Sequence, residues 1–123
     1  MNVLLKALIR KPADLFPRKG LVDAPKEHGV YVIRHPNGLV MHVGSSVRGK
    51  SSIKQRLSNH LAGKSSFTRC CLHGNARALR NGYMYQYIVV PNDRTRSLLE
   101  HAAVARLCPA HLGAGCLGHE HGT

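Results

Sequence analysis

The hydrophobic and polar positions of this chain change texture several times from one end to the other. Leu4, Leu5, Leu8 and Ile9 fall on one helical face over two turns, and Pro12 and Pro17 then break any helix. Gly29 opens a β-rich run, Val30-Tyr31-Val32-Ile33. Pro36-Asn37-Gly38 is turn chemistry, with Asn-Gly supplying the positive φ angles of a hairpin. Leu39-Val40-Met41-His42-Val43 is the returning strand. After a polar loop from Gly44 to Ser51, Ser52 and Gln55 make a capping box, and Ile53, Leu57 and Leu61 recur at four-residue spacing until Gly63. Arg56 and His60 share that spacing, so they stand one above the other beside the apolar stripe. Residues 64–82 are basic and broken, with a short helix at most around Ala76–Arg80. Tyr83 to Val90 alternates as a strand with Tyr83, Tyr85, Tyr87 and Val89 on one face. Asp93 caps a last helix that runs to about Leu107, because Pro109 forbids continuation.

This order predicts an α+β fold, a small three-stranded antiparallel sheet flanked by helices. The expected organisation is an N-terminal lead-in over 1–24, a single domain over 25–111 and a Gly/His-rich tail over 112–123. A length of 123 residues is one domain's worth. A hydrophobic share of 43% excludes a wholly disordered basic tail. No apolar run approaches the roughly 20 residues of a membrane span. The first ten residues are too short and too interrupted by charge for a signal peptide. They read as a short helix packed on the domain rather than as a membrane anchor, and the expected location is intracellular, cytoplasmic or nucleoid-associated.

Charge adds a partner. Eighteen Lys and Arg stand against six Asp and Glu, a formal net charge of +12. That balance favours a polyanion, and double-stranded DNA before others. Arg48, Lys50, Lys64, Ser65, Arg69, Arg77 and Arg80 are the expected backbone-phosphate surface. Plain solubility is the alternative reading of the same charges.

Four pieces of sequence, in order, bear on chemistry. Gly29-Val30-Tyr31 is followed, eleven positions after Tyr31, by His42-Val43-Gly44. Arg56-x-x-x-His60 lies on the next helix, and Leu98-Leu99-Glu100 precedes Pro109 by nine residues. Over residues 25–111 this series resembles the GIY-YIG nuclease family. It departs from the family pattern in carrying His42 for the usual second-motif Tyr, and in lacking an Asn shortly after Pro109. The resemblance implies a metal-dependent endonuclease that hydrolyses DNA phosphodiester bonds to 5′-phosphate and 3′-hydroxyl ends. It implies Tyr31, His42, Arg56, His60 and Glu100 as catalytic residues, with Glu100 holding Mg²⁺ or Mn²⁺.

Residue chemistry fits these roles. Arg56 offers a planar, permanently charged fork for phosphate oxygens. Glu100 is one of six acids in a basic chain, and Mg²⁺ binds through one or two carboxylates while keeping its waters. A phenol with a reference pKa near 10 is a poor base, so Tyr31 needs Arg56, the metal or His42 to activate it, or His42 is itself the base. Other readings stay open: Tyr31 as a core aromatic, Arg56 and His60 as a solvated helix face, and Glu100 paired with Arg96. A non-catalytic nucleic-acid-binding module of the same fold is the functional alternative.

A second constellation closes the chain. Cys108-x-x-His111 and Cys116-x-x-His119 repeat one spacing, and such thiolates and imidazoles can surround zinc. The alternative is a core Cys108 and a frayed terminus. Cys70 and Cys71 are adjacent and no secretory signal is evident, so the four thiols are expected to be reduced.

Overall fold

A computed structural model describes residues 1–46 and 51–111. Helix α1 (Asn2–Arg10) leads into a two-residue strand β1 (Asp14–Leu15) and the hairpin β2 (Gly29–Arg34) and β3 (Val40–Ser45). Helices α2 (Ile53–Leu61) and α3 (Ser66–Cys71) follow, then a 3-10 turn (Ala76–Arg80), strand β4 (Met84–Val89) and helix α4 (Asp93–Leu107). The architecture is α+β, as the sequence predicts. The antiparallel sheet has four strands rather than three, in the order β1-β4-β2-β3. The extra strand pairs Asp14 with Tyr85 and Leu15 with Met84. Two residues between prolines are too few to carry an alternating pattern, so nothing in the sequence marked them.

The central strand β2 is buried on both faces, which is why it reads as an unbroken apolar run. Val30 and Val32 join Leu8 of α1 and Leu99 and Ala103 of α4 in one cluster. Tyr31 and Ile33 point the other way, into a cluster with Ile53 and Leu57 of α2, Phe67 of α3 and Leu79. Phe16 and Val22 belong to that second cluster, so residues of the lead-in contribute to the core. Each such side chain contributes roughly 1.5–3 kcal/mol on burial. Among the described residues no helix is long and apolar enough to cross a membrane.

Local chemistry sets the joints. In the hairpin turn Gly38 N–H donates to the His35 carbonyl at 2.8 Å, and Gly38 alone is left-handed, at φ +93°. Asn37 keeps a negative φ, contrary to the Asn-Gly expectation. Pro36 fixes φ at the first central position of the turn, and a single glycine then closes it. The register slips just beyond His42, where Ile33 faces His42 but Arg34 faces Val40. Ser52 caps α2 by accepting from Gln55 N at 3.1 Å, whereas the Gln55 amide donates onward to Asn59 at 2.9 Å. Asn92, not Asp93, caps α4, accepting from Thr95 N, and Asp93 in the first turn pairs with Arg96.

Candidate active site

Both glycines of the paired motif answer a steric demand. Tyr31 faces Gly44 across the hairpin, and a Cβ on Gly44 would collide with the phenol oxygen and Cζ of Tyr31. A Cβ on Gly29 would strike the Ile88 carbonyl oxygen and Ile53 Cδ1. Gly44→Ala is therefore expected to cost about 1–3 kcal/mol, because the buried phenol must move or the strand must bend. Urea unfolding reads the loss as a lower midpoint at constant slope. An unchanged midpoint would show that the phenol swings aside freely.

The Tyr31 hydroxyl begins a chain of hydrogen bonds whose direction is fixed at its far end. The Thr68 hydroxyl donates to the His60 carbonyl at 3.2 Å, so its oxygen accepts from the Ser65 hydroxyl at 2.8 Å. Ser65 Oγ, having spent its proton, accepts from His60 Nδ1 at 2.7 Å and from Thr68 N at 3.2 Å. His60 Nε2 is then unprotonated and accepts from the Tyr31 hydroxyl at 2.8 Å. Ser65 has neither a proton nor a lone pair left for a phosphate, so the role expected of it passes to capping α3 and orienting His60.

Above this chain lies a pocket of about 290 Å³, lined by His42, Arg56, His60, Lys64, Ser65 and Arg69 and closed by Phe67. The His42 ring stacks on Phe67, with centroids 5.2 Å apart and planes at 18°, and meets the edge of His60 at 5.0 Å. Among the described residues two buried polar atoms have no hydrogen-bond partner, His42 Nε2 and Arg56 Nε. Both belong to residues lining this pocket. A buried N–H without an acceptor costs about 1–3 kcal/mol, and an acceptor entering the pocket, such as a phosphate oxygen, would satisfy Arg56 Nε.

Burial dominates the ionisation of this cluster. It pushes the Tyr31 phenol up to about 12; the Arg56 charge and hydrogen bonding work against that rise, and the Glu100 carboxylate adds to it. Burial, then the charges of Arg56 and His111, lower His60 to about 3. Burial first, then His60, His111 and Arg56, hold His42 well below the usual imidazole range. At neutral pH the site is a phenol and two neutral imidazoles beside a guanidinium. Tyr31 donates to His60 rather than to His42, whose ring centroid lies 5.9 Å from the Tyr31 ring.

Glu100, on α4, is not among the residues lining the pocket, but its carboxylate is near enough to raise the pKa of the Tyr31 phenol. Its Oε1 accepts from Ser45 Oγ at 2.7 Å at the end of β3. It does not pair with Arg96. That buried guanidinium donates to Asp93 and to the carbonyls of Ser46, Val90 and Pro91. One Glu100 oxygen is thus left without a hydrogen bond among the described residues, on a half-buried side chain, and this donor set suits a hydrated Mg²⁺.

The remaining predicted residues separate. Arg77 and Arg80 line a different hollow of about 410 Å³ with Arg18, and Arg80 also clamps the Pro17 and Gly20 carbonyls. Arg48 and Lys50 lie outside the described residues, as do Cys116 and His119. Cys108 is exposed at the left-handed end of α4, its thiol directed at the Ala105 carbonyl. His111 is instead buried against the site, its Nδ1 3.1 Å from His42 Nδ1 and its Nε2 3.4 Å from Ser66 Oγ. Among the described residues no group of three or more His, Cys, Asp or Glu is placed to hold a metal ion. Cys70 is disulfide-bonded, so the expectation of four reduced thiols fails at that position.

His111 is the site residue whose place sequence reasoning missed. Its spacing from Cys108 suggested a metal ligand, whereas its backbone N–H bonds the Met41 carbonyl at 2.9 Å and lays the chain beside β3. No protein-family model and no curated protein sequence matches this chain.

Proposed function

We propose that this chain is a divalent-metal-dependent endonuclease hydrolysing DNA phosphodiester bonds. One observation carries the reading. His42 of β3 and Arg56 and His60 of α2 line a single cationic pocket in which Arg56 Nε has no partner, and Tyr31 is hydrogen-bonded to His60 behind it. A phosphate group satisfies that donor, and Lys64 and Arg69 at the rim give its neighbours in the backbone a counter-charge. Glu100 would hold the Mg²⁺ or Mn²⁺, which would supply charge stabilisation for the leaving oxygen. The complete burial of Tyr31 favours a second reading, a binding module of the same fold that does not cut.

Supercoiled plasmid separates the two. With Mg²⁺ or Mn²⁺ the expected result is nicked and then linear DNA, and with EDTA no product. Glu100→Gln is expected to bind DNA as the wild type does while cutting at least a hundredfold more slowly. Binding without cleavage under every metal selects the module. Equal cutting by wild type and Glu100→Gln removes Glu100 from the site.

A further inference from the structure

His42 and His111 approach through their Nδ1 atoms, 3.1 Å apart, so one proton is shared between two nitrogens. Two arrangements satisfy that bond. If His111 supplies the proton, His42 Nε2 carries the other hydrogen of its ring. That would bury an N–H with no acceptor beside the unpaired N–H of Arg56. If His42 supplies the proton, its Nε2 presents a lone pair to a pocket lined by Arg56, Lys64 and Arg69. The second arrangement replaces an orphaned donor by an attraction to cations, and buried orphan N–H groups are the rarer defect. It also lets His111 Nε2–H point at Ser66 Oγ, 3.4 Å away.

We infer that His111 is a positioning residue for the hydrolytic site, accepting the Nδ1 proton of His42 so that His42 Nε2 faces the pocket unprotonated as the acceptor for a proton of water. The inference rests on the nuclease reading for its chemistry, but not for its geometry. As the water oxygen bonds to phosphorus, the bond from phosphorus to the 3′ oxygen breaks. The water proton passes to His42 Nε2, the 3′ oxygen takes a proton from solvent, and the imidazolium later returns its own to solvent. No other reactant is needed. Burial first, then the charges of His60, His111 and Arg56, keep His42 neutral in the pocket without phosphate. A bound phosphate opposes the positive charges among these and strengthens the base when it is required. This places the base at His42, where the chain departs from the family motif, and gives the buried segment after Pro109 a role.

The test is nitrogen NMR of the full chain labelled with ¹⁵N-histidine, which tells a protonated ring nitrogen from an unprotonated one, run beside the plasmid assay. In the wild type His42 is expected with Nδ1 protonated and Nε2 bare. His111→Phe keeps the ring and removes the acceptor. It is expected to lose that single tautomer and 10–100-fold in cleavage rate, mostly in kcat. His111→Asn, whose side-chain oxygen can accept the same proton, is expected to recover both. A protonated His42 Nε2 in the wild type overturns the inference, as does His111→Phe with the wild-type tautomer and rate. If neither variant folds, the wild-type spectrum alone decides. The expected tautomer in a protein that cuts no plasmid refutes the nuclease reading and leaves the orientation standing.

Discussion

Replacing Arg56 by alanine is expected to slow plasmid cleavage by at least a hundredfold while leaving the fold intact or slightly steadier. Removing one preorganised donor from a developing oxyanion costs about 10²–10³ in rate, or roughly 2.7–4 kcal/mol, and a guanidinium supplies more than one donor. The unusual part is the stability. Arg56 Nε is buried without a partner, so the folded protein bears its desolvation with no bond in return. Truncation relieves that cost, the pattern expected where a site is held ready for a ligand at the expense of the scaffold. Arg56→Lys should recover little activity, because a point charge does not reproduce the fork. Cleavage rates and urea midpoints measured on the same preparations check both halves. A wild-type rate in Arg56→Ala would remove the residue from the chemistry. A large drop in midpoint would make it structural.

Much of this arrangement was written in periodicity and punctuation. The hairpin, α2, β4 and α4 each carry a sustained apolar pattern or a capping residue, and each stands where that pattern predicts. Elements too short to hold a period were not legible. β1 has two residues, and α3 has six, inside a stretch read as broken basic loop. For α3 the sequence does carry a signal, Ser65 as a capping residue that accepts from Thr68 N, but its basic neighbours point equally to a phosphate contact. The four-residue step from Arg56 to His60 put both on one side of α2. Only packing decides that His60 is 1% exposed and bonded to Tyr31, since burial depends on Phe67 of the next helix and on β2, 29 residues away at Tyr31. His111 is placed by the same long-range packing. Spacing along the chain proposes neighbours such as Cys108, whereas the fold chose His42, 69 residues away.

Acid is expected to unfold this protein from below about pH 6.5 downward, more steeply than surface charge alone would. His42 and His60 are neutral in the folded state and are held there chiefly by burial, His60 down to about 3. In the unfolded chain both take protons near the reference value of 6.5. Above that pH neither state binds the proton and the pair contributes no pH dependence. Below it the unfolded state binds more protons than the folded one, so stability falls as pH falls, by about 1.4 kcal/mol per pH unit for each histidine. For His60 the loss continues to about pH 3, where the folded state protonates as well. Urea unfolding at pH 7, 6 and 5 therefore shows a descending midpoint in the wild type. In His60→Gln, which can still accept from Tyr31 but cannot titrate, the descent should be shallower by one proton's worth. Tyr31 mirrors this at the alkaline end. Its phenol stays protonated in the fold to about 12, so stability declines as pH rises past the unfolded value near 10. A midpoint that stays level between pH 7 and 5 would mean that the two imidazoles are reached by water and protonated without unfolding. The pocket would then be open in solution and Arg56 Nε would already be hydrated, which would withdraw the extra stability expected of Arg56→Ala.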